Sequence, residues 1–179
     1  HTNTVQVELD GEQHAIDTGF IVFNDWTYPN FIALLDELGV ASQPTTMSFS
    51  VRDDRTGLEY NGHSLNSLFA QRRNLARPAF YRMLFDIARF NRQANQCDGI
   101  GGQEVTVAEF LRRHRYSHQF AEQYLLPMGA AIWSCPMAKF ADFPIRFIVE
   151  FYKNHGLLQI RDRPTWQVIE GGSQTYVQK

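Results

Sequence analysis

The alternation of apolar and polar residues predicts a β-hairpin at the start of the chain. In VQVELDGEQHAI, apolar residues occupy every second position from Val5 to Leu9. Asp10-Gly11 is a favoured two-residue turn, and the pattern resumes toward Ile16.

A second hairpin is predicted around the turn sequence DDRTG. Met47, Phe49 and Val51 alternate before this turn, and Leu58 and Tyr60 continue the pattern after it. Near the other end, WQVIEGGSQTYVQK has the pattern of a short strand, a glycine pair and the beginning of an amphipathic segment.

The first helix is predicted where apolar residues recur at intervals of three and four, at Phe31, Leu34, Leu35 and Leu38. Thr27 is the expected N-cap, Pro29 suits the first turn, and Gly39 provides the C-terminal stop.

A longer helical stretch is predicted from Ser64 to Gln96, with a break near Pro78. Residues 98–102, DGIGG, have the composition of a connector. Thr106 and Glu109 are spaced as a capping box that opens the next helix.

Prolines and a glycine mark the later helices. Pro127 is expected to interrupt one helix, and Pro144 to begin another that Gly156 ends. Strands, many helices and a final strand predict an α+β fold, with antiparallel or mixed sheet built from hairpins plus a helical subdomain.

Composition indicates a soluble domain, or a piece of one, with a substantial core. The chain has 179 residues, of which 44% are hydrophobic and 13% aromatic. No apolar run approaches the roughly 20 residues that cross a bilayer. Cys97 and Cys135 are too few for a disulfide framework, so we expect buried, reduced thiols in a cytoplasmic protein.

Charge is distributed unevenly along the chain. The net charge is −2, but residues 1–60 carry −8 and residues 61–120 carry +5. Nine arginines supply the positive segment: Arg72, Arg73, Arg77, Arg82, Arg89, Arg92, Arg112, Arg113 and Arg115. We favour their pairing with the acidic first third, and an anionic lipid, nucleotide or nucleic acid is the alternative.

Several common catalytic patterns are absent from the sequence. It contains no GxGxxG, GxxxxGK[ST], HExxH or GxSxG motif. His114 and His118 are four residues apart, but Tyr116-Ser117 between them has the pattern of a helix boundary. We therefore predict no metal site.

Two apolar stretches contain isolated polar groups. AAIWSCP includes Trp133 and Ser134, and KNHGLLQI includes Asn154 and His155. Such groups are either satisfied core residues or the orienting groups of a ligand pocket, and spacing alone favours the core.

An ordered series of sequence blocks covers nearly the whole chain and resembles a known family. The blocks are DTGFIVFNDWTYPNFIALLDELGV, MSFSVRDDRTGLEYNG, LFAQRRNLARPAFYRML, LLPMGAAIWSCP, FYKNHGLLQI and RPTWQVIEGGSQTYV. They are similar to predicted NAD/FAD-binding oxidoreductases of the flavin-containing amine oxidase superfamily. Similar sequence also precedes the methyltransferase part of plant cyclopropane fatty acid synthases.

The resemblance implies that residues 1–179 form a single substrate-side domain fragment. In the family, a Rossmann-like FAD-binding unit lies upstream of the position of residue 1 and is completed downstream of residue 179. The implied cofactor-binding residues are His1, Thr2, Gly19, Phe20, Ile21, Trp166, Gly171, Gly172 and Ser173. The implied substrate pocket draws on Phe20, Trp133, His155 and Trp166.

The function implied by the resemblance is FAD-dependent oxidation, by hydride transfer from a small-molecule substrate to the flavin. Neither the substrate, for which a lipid-related molecule is one option, nor a catalytic residue is specified. The 179-residue piece alone is expected to be inactive and to bind little or no FAD, because the pyrophosphate-binding loop is missing. The alternative is a non-enzymatic module whose arginines bind anionic lipid or a protein partner. No nucleic acid is expected, peripheral membrane contact is allowed, and the oligomeric state is open.

Overall fold

The chain folds as a mixed α+β protein with small antiparallel sheets, as the order of elements predicted. The structure is a computed structural model that describes residues 2–96, 105–159 and 163–179. His1, Cys97 and the DGIGG connector lie outside the described residues. The chain divides into two units, described separately below.

The first unit comprises His1–Met47, Asn154–Gly156 and Ile160–Lys179, and takes its strands from both ends of the sequence. Strands β1 (Asn3–Leu9) and β2 (Glu12–Gly19) form the predicted hairpin, in which Val5 pairs with Ile16. A second antiparallel sheet has the order β3-β7-β4, from Phe23–Asn24, Trp166–Ile169 and Ser42–Pro44.

Two helices complete the first unit, α1 (Pro29–Leu38) and, at the C-terminal end, the short α9 (Gln174–Val177). Phe23, Leu35 and Ile169 form the buried core, against which Phe31 and Tyr176 pack. Pro29 and the left-handed Gly39 bound α1 as predicted.

Thr27 is not the N-cap of α1, contrary to the sequence prediction. Tyr28 occupies that position without a side-chain cap. The Asn24 side chain accepts hydrogen bonds from the backbone N–H of Trp26 and Thr27 and from the Thr27 hydroxyl. An asparagine that bonds to the backbone two and three residues ahead forms a local turn, so the Thr27 hydroxyl serves that turn instead.

The second unit comprises Ser48–Lys153 and Leu157–Gln159 and is mainly helical. Its hairpin pairs β5 (Ser50–Asp53) with β6 (Leu58–Asn61), so the strand begins later than Met47. The helices are α2 (Leu65–Leu68), α3 (Pro78–Gln96), α4 (Val107–Arg113), α5 (His118–Phe120), α6 (Leu126–Ile132), α7 (Met137–Phe140) and α8 (Ile145–Asn154). Its largest buried cluster combines aliphatic residues with the rings of Phe90, Phe110, Phe120, Phe140 and Tyr152.

The prediction of one continuous helix from Ser64 to the break near Pro78 is wrong. Helix α2 ends at Leu68, and a 3₁₀ helix spans Arg72–Ala76 before α3 begins at Pro78. Asn74, fully buried in this 3₁₀ helix, donates from its side chain to the Glu59 carbonyl. A tertiary hydrogen bond therefore fixes a local geometry that helical periodicity does not reveal.

One half of the predicted capping box at the start of α4 is present, because the Thr106 hydroxyl accepts a hydrogen bond from the Glu109 N–H. The Glu109 carboxylate, however, pairs with Arg113.

Pro127 does not interrupt the helical path. Helix α5, a π-helix over Ala121–Leu125 and helix α6 follow one another directly. Proline has no N–H to donate a hydrogen bond to the carbonyl four residues earlier, which here is the Gln123 carbonyl. The Tyr60 hydroxyl donates to that carbonyl at 2.6 Å and satisfies it.

The arginines of the second unit form local ion pairs. Arg82 and Arg89 each lie 3.4 Å from the fully buried Asp86, and Arg112 and Arg113 contact Glu109. The prediction that the acidic first third neutralises the arginines is therefore wrong for these four.

Cys135 is a free cysteine as predicted, but it is only half-buried.

Asp53 ties the β5–β6 hairpin to the π-helix. Its carboxylate accepts from the Gln123 amide at 2.9 Å and from the Thr56 hydroxyl at 2.7 Å. These hydrogen bonds, that from Gln123 foremost, lower the pKa of Asp53 from its usual 3.8 to about 2.

A carboxyl group whose pKa is lower in the folded than in the unfolded protein stabilises the fold at pH values above its unfolded-state pKa. This stabilisation is lost as the pH falls through the folded-state pKa. We therefore expect Asp53→Asn to flatten the loss of thermal stability between about pH 4 and pH 2. Melting temperatures across this range test the prediction, with Asp54→Asn, at an 82% exposed side chain, as the control. Equal acid sensitivity in the wild type and Asp53→Asn would contradict it.

Candidate functional site

Asp17 and Ser173 join the two ends of the chain within the first unit. The Asp17 carboxylate accepts hydrogen bonds from the Ser173 N–H and from the Ser173 hydroxyl, each at 2.8 Å. The Thr4 hydroxyl donates to the same carboxylate at 2.5 Å and accepts from the Gln174 N–H at 3.0 Å. Because Ser173 is fully buried, these bonds satisfy groups that water does not reach. We call this cluster of Thr4, Asp17, Ser173 and Gln174 the terminal seam.

The glycine pair before Ser173 lets the hairpin approach the seam. Gly171 and Gly172 have φ of +78° and +85°, a backbone region that favours glycine. A Cβ on Gly172 would lie 2.6 Å from the Thr4 Cγ2 atom. Gly172 is thus required by the close packing of β1 against this turn.

A line of aromatic rings runs across the first unit. The ring of Phe20 lies 5.9 Å from that of Tyr28, which lies 6.2 Å from that of His155. His155 stacks on Trp166, with centroids 6.3 Å apart and an interplanar angle of 19°. The structure therefore links Phe20, His155 and Trp166, three of the four predicted pocket residues, through Tyr28. We call these four rings the aromatic row.

A second branch starts from Phe20. Phe31 contacts Phe20 at 5.0 Å and Tyr176 at 5.3 Å, in both cases edge to face. The Tyr176 hydroxyl and the Thr2 hydroxyl share a hydrogen bond of 2.6 Å. Thr2, a predicted cofactor-binding residue, is thereby tied to the same set of rings as Phe20.

The segment that carries Phe20 is exposed and conformationally unusual. Phe20 has φ of +54°, a left-handed conformation that costs a bulky residue about 1–2 kcal/mol. Phe20 and its neighbour Ile21 are 38% and 54% exposed. Strained positions of this kind cluster at functional sites, where the surrounding structure holds them in place.

The backbone after His155 is constrained by close packing. Gly156 has φ of +65°, and a Cβ there would lie 2.5 Å from the Pro164 Cδ atom. Trp26 also approaches this position, at 3.5 Å. Since these contacts hold the residue next to His155, they help to fix the aromatic row.

Asn24 contributes a buried donor with no acceptor among the described residues. Its Oδ1 atom accepts three hydrogen bonds, but its Nδ2 atom is buried and unpartnered. Its backbone pairs with Trp166 in the β3–β7 ladder. An unsatisfied donor of this kind costs about 1–3 kcal/mol, which an acceptor atom of a bound group would offset.

One face of the hairpin is exposed and carries four apolar residues together with His14 and Glu12. Val5, Val7, Leu9 and Ile16 share this face of the β1–β2 ladder and are between 38% and 61% exposed. The opposite face carries Thr4 and Asp17 of the terminal seam.

Trp133, the fourth predicted pocket residue, belongs to the second unit. Its ring stacks on Phe140 at 5.5 Å and contacts three further phenylalanines, Phe143, Phe147 and Phe151. It is half-buried at the edge of the large core cluster. His1, the remaining predicted cofactor-binding residue, lies outside the described residues.

The described residues contain no group of three or more His, Cys, Asp or Glu side chains able to hold a metal ion. His114 caps the end of α4, and its ring hydrogen-bonds the Gln93 amide at 3.1 Å, whereas His118 begins α5. The helix boundary predicted between these histidines is confirmed.

Seven residues of the site were not among the predicted site residues: Thr4, Asp17, Asn24, Tyr28, Phe31, Gln174 and Tyr176. The alternation of the hairpin places Thr4 and Asp17 on one face, which was the available local signal. Burial raises the pKa of Tyr28, so its hydroxyl stays neutral and able to donate a hydrogen bond.

The fold and site define a mixed α+β protein with a terminal seam and an aromatic row that is exposed at Phe20 and half-buried at its other three rings. No known family model matches the chain, and a search of curated proteins finds no significant relative. Within the described residues, no helix combines the length and apolar character needed to cross a membrane.

Proposed function

We propose that this chain is the substrate side of a FAD-dependent, amine-oxidase-like oxidoreductase, with the flavin ring against the aromatic row. The observation that carries the proposal concerns the residues that the resemblance implies for the cofactor. Eight of them, from residues 2–21 and 166–173, come from opposite ends of the sequence yet share the first unit, where Asp17 joins the two segments.

The properties of this surface fit a planar, largely apolar ring system. Phe20, Ile21 and Trp26 are exposed although they are large and apolar, and burying them against a ring would remove that area from water. The orphan Asn24 amide offers a donor to an acceptor atom. A bound flavin would supply the two-electron oxidation, taking a hydride from the substrate.

The fit does not extend to the phosphates of FAD. Among the described residues of the first unit, Arg163 and Lys179 supply the only Lys or Arg side chains. The Lys179 ammonium already donates to the Leu38 carbonyl. The family's separate dinucleotide-binding unit would hold the phosphates, and the proposal assigns ring orientation and exclusion of water to this chain.

Substitutions in the aromatic row test the proposal in the full-length protein. We expect Phe20→Ala and Trp166→Ala to change the visible spectrum of the bound flavin and to lower kcat/KM about tenfold or more, because loss of a positioning contact misaligns the reacting groups. His155→Ala and Trp133→Ala test the other predicted pocket residues in the same assay.

Phe85→Ala is the matched control, since Phe85 is an exposed phenylalanine of the second unit, at 61%. Circular dichroism reports whether each variant folds. Folded Phe20→Ala and Trp166→Ala proteins with an unchanged flavin spectrum and unchanged kinetics would overturn the assignment of the row.

A further inference from the structure

Helix α3 has one face in the core of the second unit and an opposite face that is both aromatic and basic. Phe80, Met83, Phe90 and Ala94 are almost completely buried. On the other face, Tyr81 and Phe85 are 46% and 61% exposed, one turn apart. Arg89 lies one turn beyond Phe85 and the exposed Arg92 nearly one turn further, and the Arg82 guanidinium lies 6.0 Å from the centre of the Phe85 ring.

The segment before α3 also exposes apolar side chains. The Tyr81 hydroxyl donates to the Leu75 carbonyl at 3.0 Å, and the Leu75 side chain is 52% exposed. Leu65, in α2, is 78% exposed beside Asn66, which accepts a hydrogen bond from Arg72. We call this surface the α3 patch; its apolar members are Leu65, Leu75, Tyr81 and Phe85.

The charge around the patch is strongly positive and poorly neutralised. Residues 61–96 contain six arginines and a single acid, Asp86, which is buried. Arg72, Arg73 and Arg77 donate to uncharged oxygen atoms of Asn66, Gly57, Asn74 and Thr56. None of the ion pairs between described residues includes these three arginines or Arg92. Their positive charge therefore remains available to an anionic partner.

We propose that the α3 patch docks on the surface of an anionic lipid bilayer. Leucine and phenylalanine side chains would enter the boundary between headgroups and acyl chains, as they do in interfacial amphipathic helices. The arginines around them have apolar stems and charged ends, so they can bury the stems while binding lipid phosphate and carboxylate groups. Two of the most exposed apolar residues, Leu65 and Leu75, have no π-face on which a base would stack, which favours lipid over nucleic acid.

Vesicle co-sedimentation of the full-length protein tests this proposal. We expect binding to phosphatidylcholine vesicles that contain phosphatidylserine, little binding to pure phosphatidylcholine, and weaker binding as salt rises. Phe85→Ser should reduce partitioning about tenfold, because burial of one phenylalanine side chain is lost. The matched control Phe147→Ser removes an exposed phenylalanine beside the paired Arg146 and Glu150, and should have little effect.

Two double variants that lower the net charge by the same amount test the contribution of the arginines to vesicle binding. Arg72→Gln with Arg92→Gln should reduce partitioning about thirtyfold at low salt, at about five- to sixfold per arginine. Arg112→Gln with Arg113→Gln, at arginines that contact Glu109, should have a much smaller effect.

Equal binding to neutral and anionic vesicles, or equal losses in the patch and control variants, would overturn the proposal. Binding to an oligonucleotide or to polyglutamate, without binding to anionic vesicles, would also overturn it and assign the patch to another class of partner. Vesicle binding is measured without turnover, so its failure is distinguishable from failure of the proposed oxidoreductase function.

Discussion

Gly129→Ala should destabilise the second unit by about 2–3 kcal/mol, although alanine is the better helix former by about 1 kcal/mol. Gly129 lies in α6, where an added Cβ would be only 2.0–2.3 Å from three ring carbons of Phe140. Phe140 is fully buried and stacks on Trp133, so its ring has little room to move. Overpacking therefore outweighs the gain in helix propensity.

Denaturant unfolding measures this effect, and intrinsic fluorescence reports whether the Trp133 environment changes with it. Gly62→Ala is the control, because its Cβ would lie 3.7 Å from the nearest atom, the Phe49 carbonyl oxygen, and its backbone is not left-handed. We expect that control to remain within about 0.5 kcal/mol of the wild type. Wild-type stability in Gly129→Ala would contradict the packing described around Phe140.

Asp17→Ala should destabilise the first unit by about 2–3 kcal/mol, because hydrogen bonds to a charged acceptor are lost and buried donors remain. The fully buried Ser173 would lose its acceptor for both the N–H and the hydroxyl, and the Thr4 hydroxyl would lose its own. Hydrogen exchange should show the largest loss of protection at the Ser173 and Gln174 amides.

Three further variants separate the contribution of the terminal seam from a general effect of charge. Glu37→Ala removes an exposed carboxylate from α1 and should change stability by less than about 0.5 kcal/mol. Thr4→Ser keeps the hydroxyl and should be better tolerated than Thr4→Val, which cannot bond to Asp17 or to the Gln174 N–H. Equal stability of Asp17→Ala and Glu37→Ala would show that the seam does not hold the chain ends together.

Local sequence signals predicted the elements whose geometry is set locally. The first hairpin follows from alternation and the Asp10-Gly11 turn, and α1 follows from its apolar spacing, Pro29 and Gly39. In each case a few neighbouring residues determine the backbone, so pattern and structure coincide.

Features set by distant partners were not predictable in this way. The π-helix before Pro127 depends on the Tyr60 hydroxyl, and the 3₁₀ helix around Asn74 depends on the Glu59 carbonyl. At the site, Asp17 and Ser173 are separated by 156 residues. Their pairing requires the fold of the first unit, and the family resemblance supplied the two segments that carry these residues without the hydrogen bonds that join them.

The flavin content of the full-length protein is the most direct test of the proposed function. After purification and incubation with excess FAD, gel filtration removes free cofactor, and the visible absorbance gives the ratio of bound flavin to protein. We expect stoichiometric FAD in the full-length protein and little or none in the 179-residue chain, which has no glycine-rich phosphate-binding motif. A folded full-length protein that retains no flavin would contradict it.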